Sequence, residues 1–551
     1  MIKRVNNVFF IMFLKLVYLT ILLVSALIIS GDGLNFTLFT LLGYSTFFVI
    51  FSILLFLTRR PLLSLAISST LIIGIQLLNQ LKVHYFKERL FFSDFYVASD
   101  IQNLETLIHY PFAMASVVGL ICFVVMNGFL FRKNKKVGRS TQILSLLTAI
   151  LCFLINWVIC QETALQKIWQ SSLPKGKGTI SNLCFSSQSI AYQPPRIDAS
   201  SDYFLEKVKS FNADPKPRLT KQPDIVVFLQ ESTFDFHHYR FDMTGLPDLS
   251  MFNQANSGLL RVQTYGGKTW LSEFSLFTGL DTDDFGLNKN AVFYSVVPHI
   301  KTNLIKEVIR AGYETIVLSP MGFGNYNAGP SYKQFGLHHF FQPQDLGHDA
   351  PKNSNLWAIP SRAMLEYTKV ILAKKSDKPR FIFVLSMAEH GPYAVDTPDK
   401  YRILEKTNDS NFSGQFSDYL QRIEQLNSAT LAFIDYIKQV ESPLLFIYFG
   451  DHQPGLPWAG GYRFDYKNPE YITQYTITSN YAFEMKNAAL TDISFLGGLI
   501  LEKAAISMSD FYKANVAMRY LCHGKLDDCE DKQLTESYKS YIYNSLFVAG
   551  Y

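Results

Sequence analysis

The sequence predicts an α/β fold behind a membrane anchor: an N-terminal bundle of five transmembrane helices, then a doubly wound, mostly parallel sheet domain. Three observations predict it. Five long apolar segments fill the first third of the chain. From Asp224 onward, short apolar runs alternate with helical stretches. Two of those runs end in metal-ligand side chains: Glu231 follows Ile225–Leu229, and Asp451-His452 follow Leu444–Phe449 and Gly450. That is the carboxyl edge of an open parallel sheet, where sites assemble.

Length and composition agree. The 551 residues exceed one soluble domain. Hydrophobic residues make up 48% and charged residues 18%, a membrane-protein balance. A net charge of +5 with no dense basic stripe argues against a nucleic-acid partner. The 46 phenylalanines and 30 tyrosines suit membrane interfaces and lipid-handling grooves.

The apolar segments run over Phe9–Ser30, Leu34–Leu57, Leu62–Leu81, Phe112–Phe131 and Ile143–Cys160. About 20 residues suffice to cross a bilayer core of about 30 Å. The first lacks a small-residue cleavage site and a second span follows closely, so it reads as a span and not as a cleaved signal. Lys15 inside it is expected to snorkel or to face other helices. Positive residues set the orientation. Lys3 and Arg4, Arg59 and Arg60, and the Arg132–Arg139 cluster all fall on one side, expected to be the cytoplasm. Everything after Cys160 is then outside, without ATP. The 82–111 loop, also outside, carries Lys82, Lys87 and Arg89 against that trend.

Domain boundaries follow. Residues 1–165 form the membrane domain and 166–223 a connector. The connector holds an interfacial helix over Gln161–Gln170 with Trp169, then the breakers Pro174–Gly178 and Pro194-Pro195, and a proline-bearing boundary over Asn212–Pro223. Residues 224–509 are the catalytic domain and 510–551 a tail that folds back. Strands are expected over 225–229, 258–263, 314–319, 380–386, 444–449 and 480–485. Helices are expected over Lys301–Ala311, Ser417–Val440 and Thr491–Ala505. Cys522 and Cys529 are close in sequence in the exported part, where a disulfide is permitted; Cys160 and Cys184 are a weaker second pair.

The motifs permit definite chemistry. Glu231 is placed to bind a cation, or else to cap a helix or form an ion pair. Asp451 and His452 offer oxygen and nitrogen ligands suited to Zn²⁺ or Mn²⁺, or else form a polar turn between Gly450 and Pro454. Gly266-Gly267-Lys268-Thr269 imitates the end of a nucleotide P-loop, but Val262 stands where that motif needs its first glycine, so the P-loop is rejected. Glycine N–H groups at a helix start still favour an anion, and Lys268 on this turn is a substrate-binding candidate. Thr269 there is either a nucleophile, activated by a metal that lowers its hydroxyl pKa, or only a helix N-cap. His390, after the strand Phe381–Leu385, is placed to bind phosphate or protonate a leaving oxygen, or is a structural histidine. Asn325 and Tyr326, after Thr315–Leu318, are expected to line the pocket.

Together these residues resemble the alkaline phosphatase/sulfatase superfamily, and most of all its membrane branch of lipoteichoic acid synthases, glucan phosphoglycerol transferases and lipopolysaccharide phosphoethanolamine transferases. The similarity spans residues of about 224–505, and the five-span anchor matches too. The resemblance implies that Glu231, Thr269, Asp451 and His452 bind a single Zn²⁺ or Mn²⁺, with Thr269 as nucleophile and His390 contacting the transferred phosphate. Tyr332-Lys333-Gln334-Phe335-Gly336 also looks like the family's Tyr-Lys-x-Phe-Gly segment. Tyr326–Pro330 lacks the arginine that holds glycerol phosphate in lipoteichoic acid synthases. The threonine-rich, cysteine-containing nucleophile segment of lipid A phosphoethanolamine transferases is absent as well. Thr269-Trp270-Leu271 lacks the Cys/Ser-x-Pro-x-Arg pattern of sulfate ester hydrolysis. The resemblance therefore implies a bacterial inner-membrane transferase with its catalytic domain periplasmic or extracellular. It moves phosphoethanolamine or phosphoglycerol from a membrane phospholipid to a glycan such as lipopolysaccharide through a phosphothreonine, and acts as a monomer without nucleic acid. A phosphodiesterase of the same superfamily and a non-catalytic membrane module are the alternatives.

Overall fold

The structure, a computed structural model, describes residues 2–31, 37–86, 88–99, 110–171, 178–190, 192–211, 217, 219–240, 243–244, 246–397, 402–403, 412–456, 461–485 and 489–550. Pro174–Lys177, most of the 212–218 boundary and the Trp169 side chain lie outside this set. The chain divides into two compact units, Met1–Ala191 and Tyr192–Tyr551.

The first unit holds five helices long and apolar enough to cross a membrane: α1 (Ile2–Ser30), α2 (Leu38–Thr58), α3 (Pro61–Phe86), α4 (Pro111–Phe131) and α5 (Arg139–Gln161). Proline opens both α3 and α4, where its missing N–H is harmless. Lys15 turns inward: its ammonium donates to the Leu130 carbonyl in the last turn of α4, where helix carbonyls lack partners and attract a cation. The Val137 amide donates to Arg59 O at 2.8 Å, and the Arg59 guanidinium donates to Val137 O at 2.9 Å. The two strongly positive loops thus lie at the same end of the bundle. Lys82, one of the three residues against the charge pattern, is ion-paired with Asp94 at 2.7 Å; Lys87 lies outside the described residues. The helix expected at 161–170 is present as α6 (Thr163–Ser171), followed by α7 (Thr179–Ser186). Cys160 and Cys184 are free thiols, so the second expected pair is corrected.

The second unit is built on an eight-stranded sheet. Its strands in chain order are β1 (Asp224–Gln230), β2 (Ser257–Arg261), β3 (Glu314–Leu318), β4 (His339–Phe341), β5 (Arg380–Leu385), β6 (Leu444–Gly450), β7 (Ile472–Ser479) and β8 (Leu490–Asp492). In space they run β8-β2-β7-β6-β1-β5-β3-β4. Every neighbouring pair is parallel except the two made by β7. The strands β1, β5 and β6 are apolar between their end residues because helices cover both sheet faces. Ile225, Val227 and Leu229 enter one core cluster while Val226 and Phe228 enter the other. All five are fully buried.

Two expected elements are corrected. Residues 480–485 are not a strand; the strand there is β7, which begins eight residues earlier and lies between β2 and β6. Its threonines and glutamine hide it in an apolar pattern, and the threonines are satisfied internally: Thr473 donates to Gly450 O and Thr476 pairs with Ser257. The helix expected over Thr491–Ala505 begins late, at Leu496–Lys503, because residues 490–492 complete the sheet as β8. The expected central helices are present as Leu304–Arg310 and Phe412–Ile437. Residues 510–551 carry the helices Asp510–Leu521 and Lys532–Ser540, whose Phe511, Met518 and Tyr538 join the same core. Cys522 and Cys529 are bridged as a disulfide, with Cα atoms 5.3 Å apart.

Candidate active site

Sheet register builds the site. Gln230 pairs with Gly450 at the ends of the parallel neighbours β1 and β6. The next residue of each strand, Glu231 and Asp451, therefore leaves the sheet at the same level. Gly450 is required there: a Cβ at this position would lie 1.8 Å from the Thr233 carbonyl oxygen. Ser232, in the left-handed region at φ 50°, folds its amide onto Asp451 Oδ1 at 2.8 Å. His452 adds its own amide to the same oxygen at 2.8 Å. The His452 ring is oriented by Nδ1, which donates to Gln453 O at 2.9 Å. Its Nε2 then stands 3.3 Å from Glu231 Oε1 and 3.3 Å from Asp451 Oδ2.

The nucleophile candidate arrives on a separate loop. Gly266, Gly267 and Lys268 have φ of 69°, 148° and 65°, a left-handed run that two glycines make accessible. It delivers Thr269 as the first residue of α8 (Thr269–Thr278). Lys268 occupies the cap position, so Thr269 does not cap the helix. Its hydroxyl instead donates to Glu231 Oε2 at 3.0 Å. The Gly266 amide donates to Gln453 O at 3.0 Å, tying this loop to the Asp451-His452 turn.

The three groups fit a divalent ion. One ligand atom from each of Glu231, Asp451 and His452 lies within 4.8 Å of the others, all buried. Asp451 Oδ2 and His452 Nε2 are buried without a hydrogen-bond partner, a state that is costly unless something coordinates them. The second nitrogen of a metal-binding imidazole characteristically donates to a carbonyl, as Nδ1 does here.

A family model described as Sulfatase matches residues 223–502. The chain belongs to the sulfatase family. A protein of Haemophilus influenzae described as uncharacterized is 36% identical over 97% of this chain and 99% of its own length. The phosphoglycerol transferase GacH of Streptococcus pyogenes, solved with sn-glycerol-1-phosphate, shares 18% identity, covering 65% of this chain and 99% of its own, with a TM-score of 0.51. The lipooligosaccharide phosphoethanolamine transferase EptA of Neisseria meningitidis, an integral membrane protein, shares 16% identity over 91% of this chain and 97% of its own, with a TM-score of 0.50. The EptA likeness and the family match establish the shared fold: apolar helices followed by an alkaline-phosphatase-like domain.

Electrostatics of this sulfatase-family site are dominated by buried carboxylates. Burial opposes charge on Glu231, yet His452 and His390 hold its carboxyl below the usual range. Burial and the Glu231 charge push Asp451 up. Burial resists a charge on His452, but Asp451 and Glu231 outweigh it and raise the imidazole to about 9. Burial lowers His390 below its ordinary value, with Glu231 opposing. A proton on His452 thus does part of what a metal ion would do.

Proton release on metal binding is the expected consequence. At pH 7 metal-free His452 carries a proton, and ligands must be deprotonated to bind. Binding of Zn²⁺ or Mn²⁺ at pH 7 is therefore expected to expel protons, and affinity to rise with pH up to about 9, where His452 loses its proton unaided. Calorimetric titration in two buffers of different ionisation enthalpy checks this; identical heats in both would contradict it.

The remaining residues singled out in the sequence fall around this centre. His390 is pinned by Nδ1 donating to Gly391 O, and its ring stands edge-on to Trp357 with centroids 5.3 Å apart. Lys268 is buried with Nζ 3.4 Å from Asn290 Oδ1. Asn325 is buried, and the Tyr326 ring lies on Trp270 with centroids 5.7 Å apart. Two carboxylates beside motif residues escaped sequence reasoning. Glu273, one turn after Thr269, accepts from Tyr326 at 2.9 Å and Tyr332 at 2.8 Å, and burial raises it to about 7. Glu389, raised by burial to about 7, accepts from Ser361 at 2.7 Å and Ser386 at 2.8 Å. Ser386 in turn receives the Glu231 amide at 2.9 Å, so Glu389 steadies the ligand through one hydroxyl. Their adjacency to Thr269 and His390 was the available signal.

Proposed function

We propose that this chain is a membrane-anchored phosphotransferase that moves a phosphorylated phospholipid head group, phosphoethanolamine or phosphoglycerol, onto an extracytoplasmic glycan such as lipopolysaccharide. The observation that carries this reading is the Thr269 hydroxyl, 3.0 Å from Glu231 within the Glu231–Asp451–His452 cluster. A bound Zn²⁺ or Mn²⁺, held by Glu231, Asp451, His452 and Thr269, supplies Lewis-acid stabilisation of negative charge. The chain's own groups do the rest. Thr269 Oγ1 bonds to phosphorus as the bond to the diacylglycerol oxygen breaks, and its proton is directed toward Glu231. His390, with Nδ1 committed to Gly391 O, uses Nε2 to give a proton to the leaving oxygen and to take one from the acceptor hydroxyl in the second step. Lys268, Asn325 and Tyr326 line the head-group side. Five apolar helices ahead of the domain suit a donor that lives in the bilayer, and the implied site is the outer face of a bacterial inner membrane.

The test is intact-mass measurement of the solubilised protein after exposure to phosphatidylethanolamine and phosphatidylglycerol with metal supplied. A mass increment of phosphoethanolamine or phosphoglycerol at Thr269 is expected and identifies the head group. No increment, together with no diacylglycerol release, would sink the reading; release without any glycan product would leave a hydrolase. Topology is tested separately. The 59–60 and 132–139 loops, which meet at one end of the bundle, are expected on the cytoplasmic side. A reporter active only in the cytoplasm, fused after Tyr551, should be silent, and a bright fusion would reverse the orientation.

A further inference from the structure

A second cavity, of about 550 Å³, opens behind the His390 loop, between the start of the helix Ser361–Ala373 and the middle of the helix Phe412–Ile437. Ser361, Arg362, Glu389, Gln421, Gln425 and Ser428 line it. Among the described residues, Pro360 and Ala388 are its only apolar lining residues, a poor match for an acyl chain.

Charge narrows the ligand further. The wall carries the charged pair Arg362 and Glu424, together with Arg422 and with Glu389, whose carboxyl burial raises to about 7. Arg422 is also committed elsewhere. It binds Asp418 at 2.6 Å and donates to the carbonyl oxygens of Ala388 at 3.0 Å and His390 at 2.7 Å. Neither a phosphate nor an ammonium finds a surplus of opposite charge. The lining instead mixes donors and acceptors: the amides of Gln421 and Gln425, the Ser428 hydroxyl, the Arg362 guanidinium and the Glu424 carboxylate. That mixture matches a run of hydroxyl groups, each both donor and acceptor. Place adds the last constraint. The cavity wall includes Ala388 and Glu389, the two residues immediately before His390.

We propose that this cavity is the acceptor subsite, seating a neutral, hydroxyl-rich sugar unit of the glycan. The inference rests on the reading of Thr269 as nucleophile. A hydroxyl of the seated glycan bonds through its oxygen to phosphorus as the Thr269 Oγ1–phosphorus bond breaks. Its proton passes to His390 Nε2, which is thereby ready to donate again, and the proton held at Glu231 returns to the Thr269 oxygen.

The experiment uses the full chain in detergent with phosphatidylethanolamine and phosphatidylglycerol as donors. The acceptor probe is the oligosaccharide fraction released from the envelope of the producing cells. Two variants are compared with wild type: Gln421→Ala/Gln425→Ala, which strips two amides, and Ser428→Trp, which fills the cavity. Formation of the Thr269 adduct should be unchanged in both. KM for the oligosaccharide should rise about tenfold in the double variant, the effect of losing two hydrogen bonds to a neutral ligand, and transfer should be blocked in Ser428→Trp. An unchanged KM overturns the inference, as does adduct formation falling in step with transfer. If wild type forms the adduct but no oligosaccharide speeds its loss, the subsite falls while the nucleophile stands. If wild type forms no adduct, both fall.

Discussion

Thr269→Ala is expected to abolish turnover while the protein stays folded and still binds lipid. The loss should be on the order of 10⁴-fold or more, as for removal of a covalent nucleophile. The next hydroxyl along the helix does not take its place. Ser272, the nearest along the helix, is committed to the Asp451 carbonyl at 2.6 Å. The structural cost should be small. Lys268, not Thr269, occupies the helix cap, so the change removes one hydrogen bond, to Glu231. That is worth about 1–3 kcal/mol with a charged acceptor. The decisive comparison is diacylglycerol release from fluorescent phosphatidylethanolamine and phosphatidylglycerol, with circular dichroism and melting as controls. Release at the wild-type rate would remove Thr269 from the chemistry.

Asp451→Asn should eliminate metal binding without destabilising the metal-free protein. The Asp451 carboxyl is pushed up by burial and by the charge of Glu231, so in the absence of metal its ionised form opposes folding. Asparagine keeps an oxygen for the amides of Ser232 and His452, which both donate to Oδ1 at 2.8 Å. What it loses is the charge a metal needs. Wild type at a thousandfold excess of metal over its dissociation constant gains about 4 kcal/mol. The variant should gain almost nothing and melt at or above the metal-free wild-type temperature. A variant with the full metal-induced shift would rule out Asp451 as a ligand; one that melts well below metal-free wild type would make its role structural.

How much was legible beforehand depended on how locally each feature is encoded. The membrane helices were readable because crossing a bilayer needs about 20 consecutive apolar residues and little else. Lys15 was readable only as an oddity; its partner, the Leu130 carbonyl, lies on a helix more than a hundred residues on. The strand β7 is not legible because Thr473, Gln474 and Thr476 look exposed in sequence, although the sheet buries all three and neighbouring strands satisfy the two threonines. Glu273 and Glu389 were passed over because a glutamate near a motif resembles any surface glutamate until its burial is known.

By itself the sequence determined the apolar strands that end in Glu231 and Asp451-His452, and the glycine turn that presents Thr269. A strand buried on both faces must be continuously apolar, so a ligand-type side chain just past its end stands out. Only the tertiary structure decided that these segments converge. The register of Gln230 against Gly450 places Glu231 beside Asp451, and the bond from Gly266 to Gln453 carries Thr269 to them. Which strands become neighbours is settled by the packing of two whole cores across one sheet, and no short stretch of sequence holds that information.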